Sequence, residues 1–372
     1  MAIDTERRAA ERRPTATMIV DCDVHPTVPG EVQGLLPFLT RGWQERLKPH
    51  HTLPSRAGYE FPAGTTVLRM DAKPPSGGPP GSDPAYVVED LLDRCGTTRA
   101  VLISLQANNL RALPNPDDAA ALATAFNDYI AAHWLTVDQR FRHAMVVAPQ
   151  DPQAAAKEID RYGETRGVVA VHLPLMDILM GNRHYYPIYA AAQEHGLPIL
   201  VHPSGSEGGS IVGAPNVAGG RPGSFFERYC SLPQIYQSNV ISLVSDGVFE
   251  RFPKLKVLVV EAGYGWVPHV MARMDKAWLG LRKEVPWVKR PPSEYVLEHV
   301  RFTSQPIEEP KQREHVVHVL AMMEAERTLL FASDYPHWDN DMPDYAMRAV
   351  PEALRQRILY ENARELFGAR LD

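Results

Sequence analysis

Polar residues of the kinds that hold metals or move protons stand where short apolar runs end. The first run closes on Asp21-Cys22-Asp23-Val24-His25, and the alternation of a strand predicts Asp21, Asp23 and His25 on one face. Others close on His202 in LVHPSG, Glu261 in VLVVEAGYGW and Asp334 in LLFASDYPHWD. Each alone has an ordinary explanation: a D-x-H pair arises by chance, a histidine can be a satisfied strand-end residue, and Asp334 can cap a turn or helix. Together they are harder to dismiss, because a buried carboxylate is costly unless something compensates its charge. No Lys or Arg lies on these strand ends to do so. One divalent cation accounts for them all, and mixed imidazole and carboxylate donors suit Zn, Mn or Fe with a position left open for water or substrate.

Such residues meet only if the fold brings strand ends together. Eight short apolar runs, at 18–25, 98–105, 143–149, 167–173, 197–203, 255–261, 299–304 and 328–334, alternate with longer segments of other character. Helical period marks 83–96, 117–134, 152–164, 185–196, 241–253 and 310–323. Eight such units predict an α/β fold, a TIM-like (β/α)8 barrel, whose strand C-termini surround the mouth where ligands bind. An open doubly wound sheet is the alternative; against it, no G-x-G-x-x-G follows the first strand, and the glycine-rich PSGSEGGS follows the fifth.

Residues 26–83, rich in Pro and Gly and carrying Trp43, Tyr59 and Phe61, form a long insertion after the first strand. It leaves from the mouth and is expected to be a lid, with a surface excursion as the alternative. A second long loop, 204–225, is rich in glycine and reads as flexible. Residues 1–15 read as a solvated tail or arm and 16–372 as one domain.

Composition narrows the classes. The 372 residues are 44% hydrophobic and 23% charged, those of an ordinary folded protein. Thirty-nine Lys and Arg against 45 Asp and Glu leave a net charge of −6, so no basic field exists to hold nucleic acid. Cys22, Cys95 and Cys230 are far apart and form neither a disulfide framework nor a C-x-x-C pair, which fits a reducing cytoplasm. No apolar stretch reaches the roughly 18 residues of a membrane span, and no export signal is evident.

The motifs DCDVHP, FNDYIAAHW, YYPIYAAAQEHGLPILVHPSG, GVFERFPKLKVLVVEAGYGWVPHVMARMD, SDYPH and ENARELFG give the chain a resemblance to a known family over residues 18–371. It resembles the amidohydrolase superfamily, in the branch that includes aminocarboxymuconate-semialdehyde decarboxylase and the resorcylate-type decarboxylases. The resemblance implies a distorted barrel with one metal ion bound by Asp23, His25, His202 and Asp334, with Zn expected ahead of Mn or Fe. Two positions depart from the family pattern. Asp23 replaces the first histidine of an H-x-H pair, which makes the ion a milder Lewis acid. Glu261 replaces the family's proton-handling histidine on strand six, and either serves as the base or ligates the metal. His172, His337, Trp266 and Trp338 follow strand ends and are candidate substrate-binding residues.

The first functional expectation is hydrolysis of an amide, lactone or related small molecule. The metal would lower the pKa of bound water, and Asp334 or Glu261 would take its proton. The alternative is non-oxidative decarboxylation of an aromatic or unsaturated carboxylic acid, which needs an acid and a cation for the carboxylate; Arg183, Arg221, Arg228 and Arg301 are available. A third reading is a barrel that binds a ligand without turning it over. The partner in every case is a small molecule, and the resemblance extends to a homodimer.

Overall fold

In the computed structural model of the chain, which describes residues 18–53, 67–204, 213–220 and 222–372, all eight apolar runs form strands of one parallel sheet. They are β1 (Val20–Val24), β2 (Arg99–Leu102), β3 (Phe141–Val146), β4 (Val168–His172), β5 (Ile199–Val201), β6 (Val257–Val259), β7 (Val300–Thr303) and β8 (Leu329–Leu330). Sheet order follows chain order. The last strand returns to the first, with the Cys22 N–H donating to the Phe331 carbonyl at 3.0 Å and the Asp334 N–H to the Asp23 carbonyl at 3.1 Å. The sheet therefore closes into a (β/α)8 barrel, as the alternating pattern predicts.

Val20, Cys22, Val101, Ile103, Leu258 and Val260 fill the barrel interior, while residues such as Phe126, Trp134 and Phe141 pack between strands and surrounding helices. Each such side chain contributes about 1.5–3 kcal/mol by leaving water. The helices start where capping residues stop the backbone from fraying. Side-chain oxygens of Asn115, Asp151 and Ser224 accept the N–H groups of Asp117, Gln153 and Glu227 at 2.9, 3.0 and 3.1 Å, each cap worth about 1 kcal/mol. The segment 241–253 is not one helix. It is divided between Pro233–Ser245 and Val248–Arg251, because Gly247 takes a left-handed φ of 71° that ends the first helix.

A second difference lies on β1. Val20 and Cys22 both belong to the interior cluster, so Asp21 between them points the other way and does not share a face with Asp23. Its Oδ1 accepts the backbone N–H of Ser333 at 2.9 Å and of Asp23 at 3.2 Å. The pairing register with β2 shifts between Asp21 and Val24. Such an irregularity resets the alternation and re-aims side chains, which turns Asp23 and His25 into the mouth without Asp21.

The described part of the insertion is ordered around a helix, Arg41–Leu47, that carries a half-buried Trp43. Its far end forms a strap: Leu68 bridges antiparallel to His337, the Trp338 N–H donates to the Val67 carbonyl at 2.8 Å, and the Arg69 N–H donates to Pro336 at 2.9 Å. Tyr59, Phe61, the tail 1–15 and residues 205–212 and 221 of the glycine-rich loop lie outside the described residues.

Candidate metal centre and active site

The ends of β1, β5 and β8 gather Asp23, His25, His202 and Asp334 at the mouth. His25 Nε2 lies 3.2 Å from Asp23 Oδ1 and 2.7 Å from Asp334 Oδ1, and His202 Nε2 lies 3.1 Å from Asp23 Oδ2. All four residues are buried, and one donor atom from each falls within 4.8 Å of the others. The outer ring nitrogens are already engaged: Nδ1 of His25 faces the Ile103 carbonyl at 3.1 Å and Nδ1 of His202 the Pro203 carbonyl at 2.5 Å. With Nδ1 donating, a neutral ring turns a lone pair, not a proton, toward the carboxylates. Lone pairs facing carboxylate oxygens need a cation between them. Asp23 Oδ1 is also buried without a hydrogen bond. A single divalent cation fits this donor set.

The electrostatics say the same. Burial pushes Asp23 up to about 7, against the pull of His25. Glu261, just after β6, is driven well above the ordinary carboxylate range by burial and then by the charges of Asp334 and Asp23. Asp334 is buried too, yet His337 and His25 hold it below that range. Glu261 Oε2 lies 3.3 Å from His202 Nε2. Both Glu261 and Asp334 occupy the left-handed backbone region, with φ of 49° and 62°. That conformation costs non-glycine residues about 1 kcal/mol or more, and such strain concentrates at functional sites.

Beside the cluster lies a small pocket of about 90 Å³ whose lining includes Glu261, Arg228, Tyr229, His337, Trp338 and Asp339. His337 Nδ1 is 2.6 Å from Asp334 Oδ1, and its ring centre is 4.8 Å from that of His25. Trp338 stands at the rim, 55% exposed. His172 is buried at the end of β4 with Nε2 on Asn108 Oδ1 at 3.1 Å, and burial followed by His202 holds it well below its ordinary pKa. Trp266 packs edge-on against Phe302 and donates its indole N–H to the Ala262 carbonyl at 2.9 Å. Neither His172 nor Trp266 is in the lining of this pocket.

Of the four arginines available for a carboxylate, Arg228 is in the pocket and buried. Arg301 donates to the Val300 carbonyl at the start of β7, the opposite end of the barrel, Arg183 sits in a short turn after β4, and Arg221 lies outside the described residues. Tyr229, Asp339 and Gln305 are polar neighbours that the sequence reading missed. The Tyr229 hydroxyl donates to Asp339 Oδ2, and Gln305 Nε2 donates to Asp334 Oδ2 at 3.1 Å and Asp339 Oδ2 at 3.3 Å. Asp339 was within reach of inference, five residues past Asp334 in the same motif. Tyr229 follows an irregular loop, where no spacing indicates which residue folds back.

A family model described as amidohydrolase matches residues 20–369. Gamma-resorcylate decarboxylase from Polaromonas sp. (strain JS666) is 23% identical over 297 residues, 74% of this chain and 85% of that protein. The crystal structure of 5-carboxyvanillate decarboxylase LigW from Sphingomonas paucimobilis superposes with a TM-score of 0.68 at 17% identity, covering 95% of this chain and 99% of that one. A dihydroxybenzoic acid decarboxylase from Polaromonas sp. JS666, with bound manganese and the inhibitor 2-nitroresorcinol, superposes with a TM-score of 0.65 at 19% identity, covering 94% and 97%. These findings overturn the first expectation, hydrolysis: the relatives in sequence and several of the similar structures are decarboxylases, which favours the alternative. The ion held by the last of these structures is manganese, which lends zinc no support. Among the described residues, no helix is long and apolar enough to cross a membrane.

Proposed function

The chain belongs to the amidohydrolase family, and within that family we propose that it is a metal-dependent, non-oxidative decarboxylase of an aromatic or unsaturated carboxylic acid. The observation that carries this reading is that one pocket, abutting the four-residue cluster, holds both a buried guanidinium, Arg228, and a carboxyl group, Glu261. Decarboxylation needs a cation for the substrate's carboxylate and an acid for the vacated carbon, whereas hydrolysis needs a base and room for water and has no substrate carboxylate to hold.

Asp23, His25, His202 and Asp334 would hold the ion, with manganese favoured over zinc because half of this donor set is carboxylate. When bound, the ion supplies positive charge for the substrate carboxylate and an oxygen beside it. Arg228 adds positive charge on the pocket side, and Phe225 and Trp338 offer aromatic walls for a planar ring. The strap from Val67 to Arg69 pairs with the segment carrying His337, and Val67 lines the pocket, which sets the insertion where a lid acts. Glu261 carries the proton. As the bond between ring carbon and carboxylate breaks and carbon dioxide leaves, the electron pair stays on carbon and takes the proton from a Glu261 oxygen; water later restores it. Asp334, held by His337 and Gln305, keeps its carboxylate fixed beside the reacting group.

The test is carbon dioxide release from a panel of hydroxybenzoic and unsaturated acids by manganese-loaded protein. Release from at least one acid, lost in Glu261→Gln, is expected. Release from none, with amides or lactones hydrolysed instead, would overturn the proposal.

A further inference from the structure

Tyr229 lines the pocket with its hydroxyl hydrogen already committed. That hydrogen goes to Asp339 Oδ2. The same oxygen is an acceptor on independent grounds: Gln305 Nε2 reaches it at 3.3 Å while also reaching Asp334 Oδ2 at 3.1 Å, so the amide's N–H face is turned to both carboxylates. A phenol has one hydrogen to donate. With it directed at Asp339, Tyr229 can offer the pocket only lone pairs. Its ring cannot readily swing away, because Phe225 stacks on it at 5.7 Å between centres, and Trp338 stands 6.4 Å off on the pocket rim.

We propose that Tyr229 is a specificity-determining residue, an obligate acceptor that selects acids carrying a hydroxyl or amino group where the substrate meets it and rejects the methyl ether of the same acid. An ether sets a methyl group against the lone pairs and leaves acceptors facing each other, which costs about ten- to a hundredfold in affinity at a half-buried site. Asp339 acts through Tyr229 as a positioning residue: it decides which way the phenol points its hydrogen. The inference rests on the decarboxylase reading for the class of ligand, a ring-bearing acid, and adds the polarity of one wall.

The experiment is a binding titration of manganese-loaded protein with the dihydroxybenzoic acids and their monomethyl ethers, followed by quenching of tryptophan fluorescence. Wild type is expected to bind at least one dihydroxy acid tenfold or more tighter than its ether. Tyr229→Phe should bring that ratio to about one by weakening the hydroxy acid rather than by improving the ether. Asp339→Ala removes the acceptor and frees the Tyr229 hydrogen toward the pocket, so the ether should gain affinity, a reversal that loss of fold cannot mimic. Melting curves identify any variant that fails to fold, and either variant alone suffices. An unchanged ratio in a folded variant, or wild type binding acid and ether alike, overturns the assignment. Wild type that binds none of these acids while releasing carbon dioxide from another acid overturns the assignment alone; release from no acid overturns the decarboxylase reading beneath it.

Discussion

The two ends of this barrel bury charge in opposite ways. At the floor, Arg142 at the start of β3 is buried and surrounded by acceptors: Nη1 donates to the Gln139 and Phe141 carbonyls at 2.7 and 2.8 Å, and Nη2 to Leu371 at 2.7 Å. Arg99 of β2 reaches the same Leu371 carbonyl at 2.7 Å. These guanidiniums plug the barrel and tie down the last turn of the chain. At the mouth the balance is reversed. Asp23 Oδ1 is buried without a hydrogen bond, carboxylates and imidazole lone pairs face one another, and two acids sit on left-handed backbone. Buried polar groups with full partners hold a fold together, whereas a group left short of partners, beside neighbours on strained backbone, marks where something else binds.

The comparison can be broken most severely at the mouth. Asp23→Asn or His202→Ala should lower decarboxylation by about four orders of magnitude with loss of bound metal. Melting of the metal-free protein should hold or rise for Asp23→Asn, since a buried charge is removed. Next, Glu261→Gln should lower kcat about 10²–10⁴-fold while metal content per chain stays at the wild-type value; a fall in metal content would make Glu261 a ligand instead of the proton carrier. At the floor, Arg142→Ala should cost stability, about 2–4 kcal/mol from carbonyls left unpaired. It should leave kcat unchanged well below the melting temperature, and steady-state assays beside a thermal melt separate the two. The smallest effect belongs to the rim, where Trp338→Ala should raise KM about threefold at constant kcat.

Much of this contrast is legible in the sequence. Most strands are short apolar runs, and in β1, β5, β6 and β8 the polar residue that ends the run reaches the mouth, whereas the choice of Asp23, His25, His202 and Asp334 among them is what the family resemblance implies. Asp21 was misplaced because alternation was counted through an irregular register that a sequence does not display. The helix expected over 241–253 was interrupted because Gly247 in a left-handed conformation outweighs the apolar period on either side. Tyr229 and Arg228 come from a helix after a loop, where no periodicity says which side chains return to the site. The choice between hydrolysis and decarboxylation was out of reach for a chemical reason: both use the same donor set, and they differ in the pocket beside it.

The most direct test of the account is the manganese content of protein purified with and without the mouth carboxylate. Wild type loaded with manganese and then desalted should retain about one ion per chain, and Asp23→Asn close to none. Wild type that retains no manganese, or an Asp23→Asn variant that retains as much as wild type, would contradict the claim that the unpaired groups of the mouth exist to hold a cation.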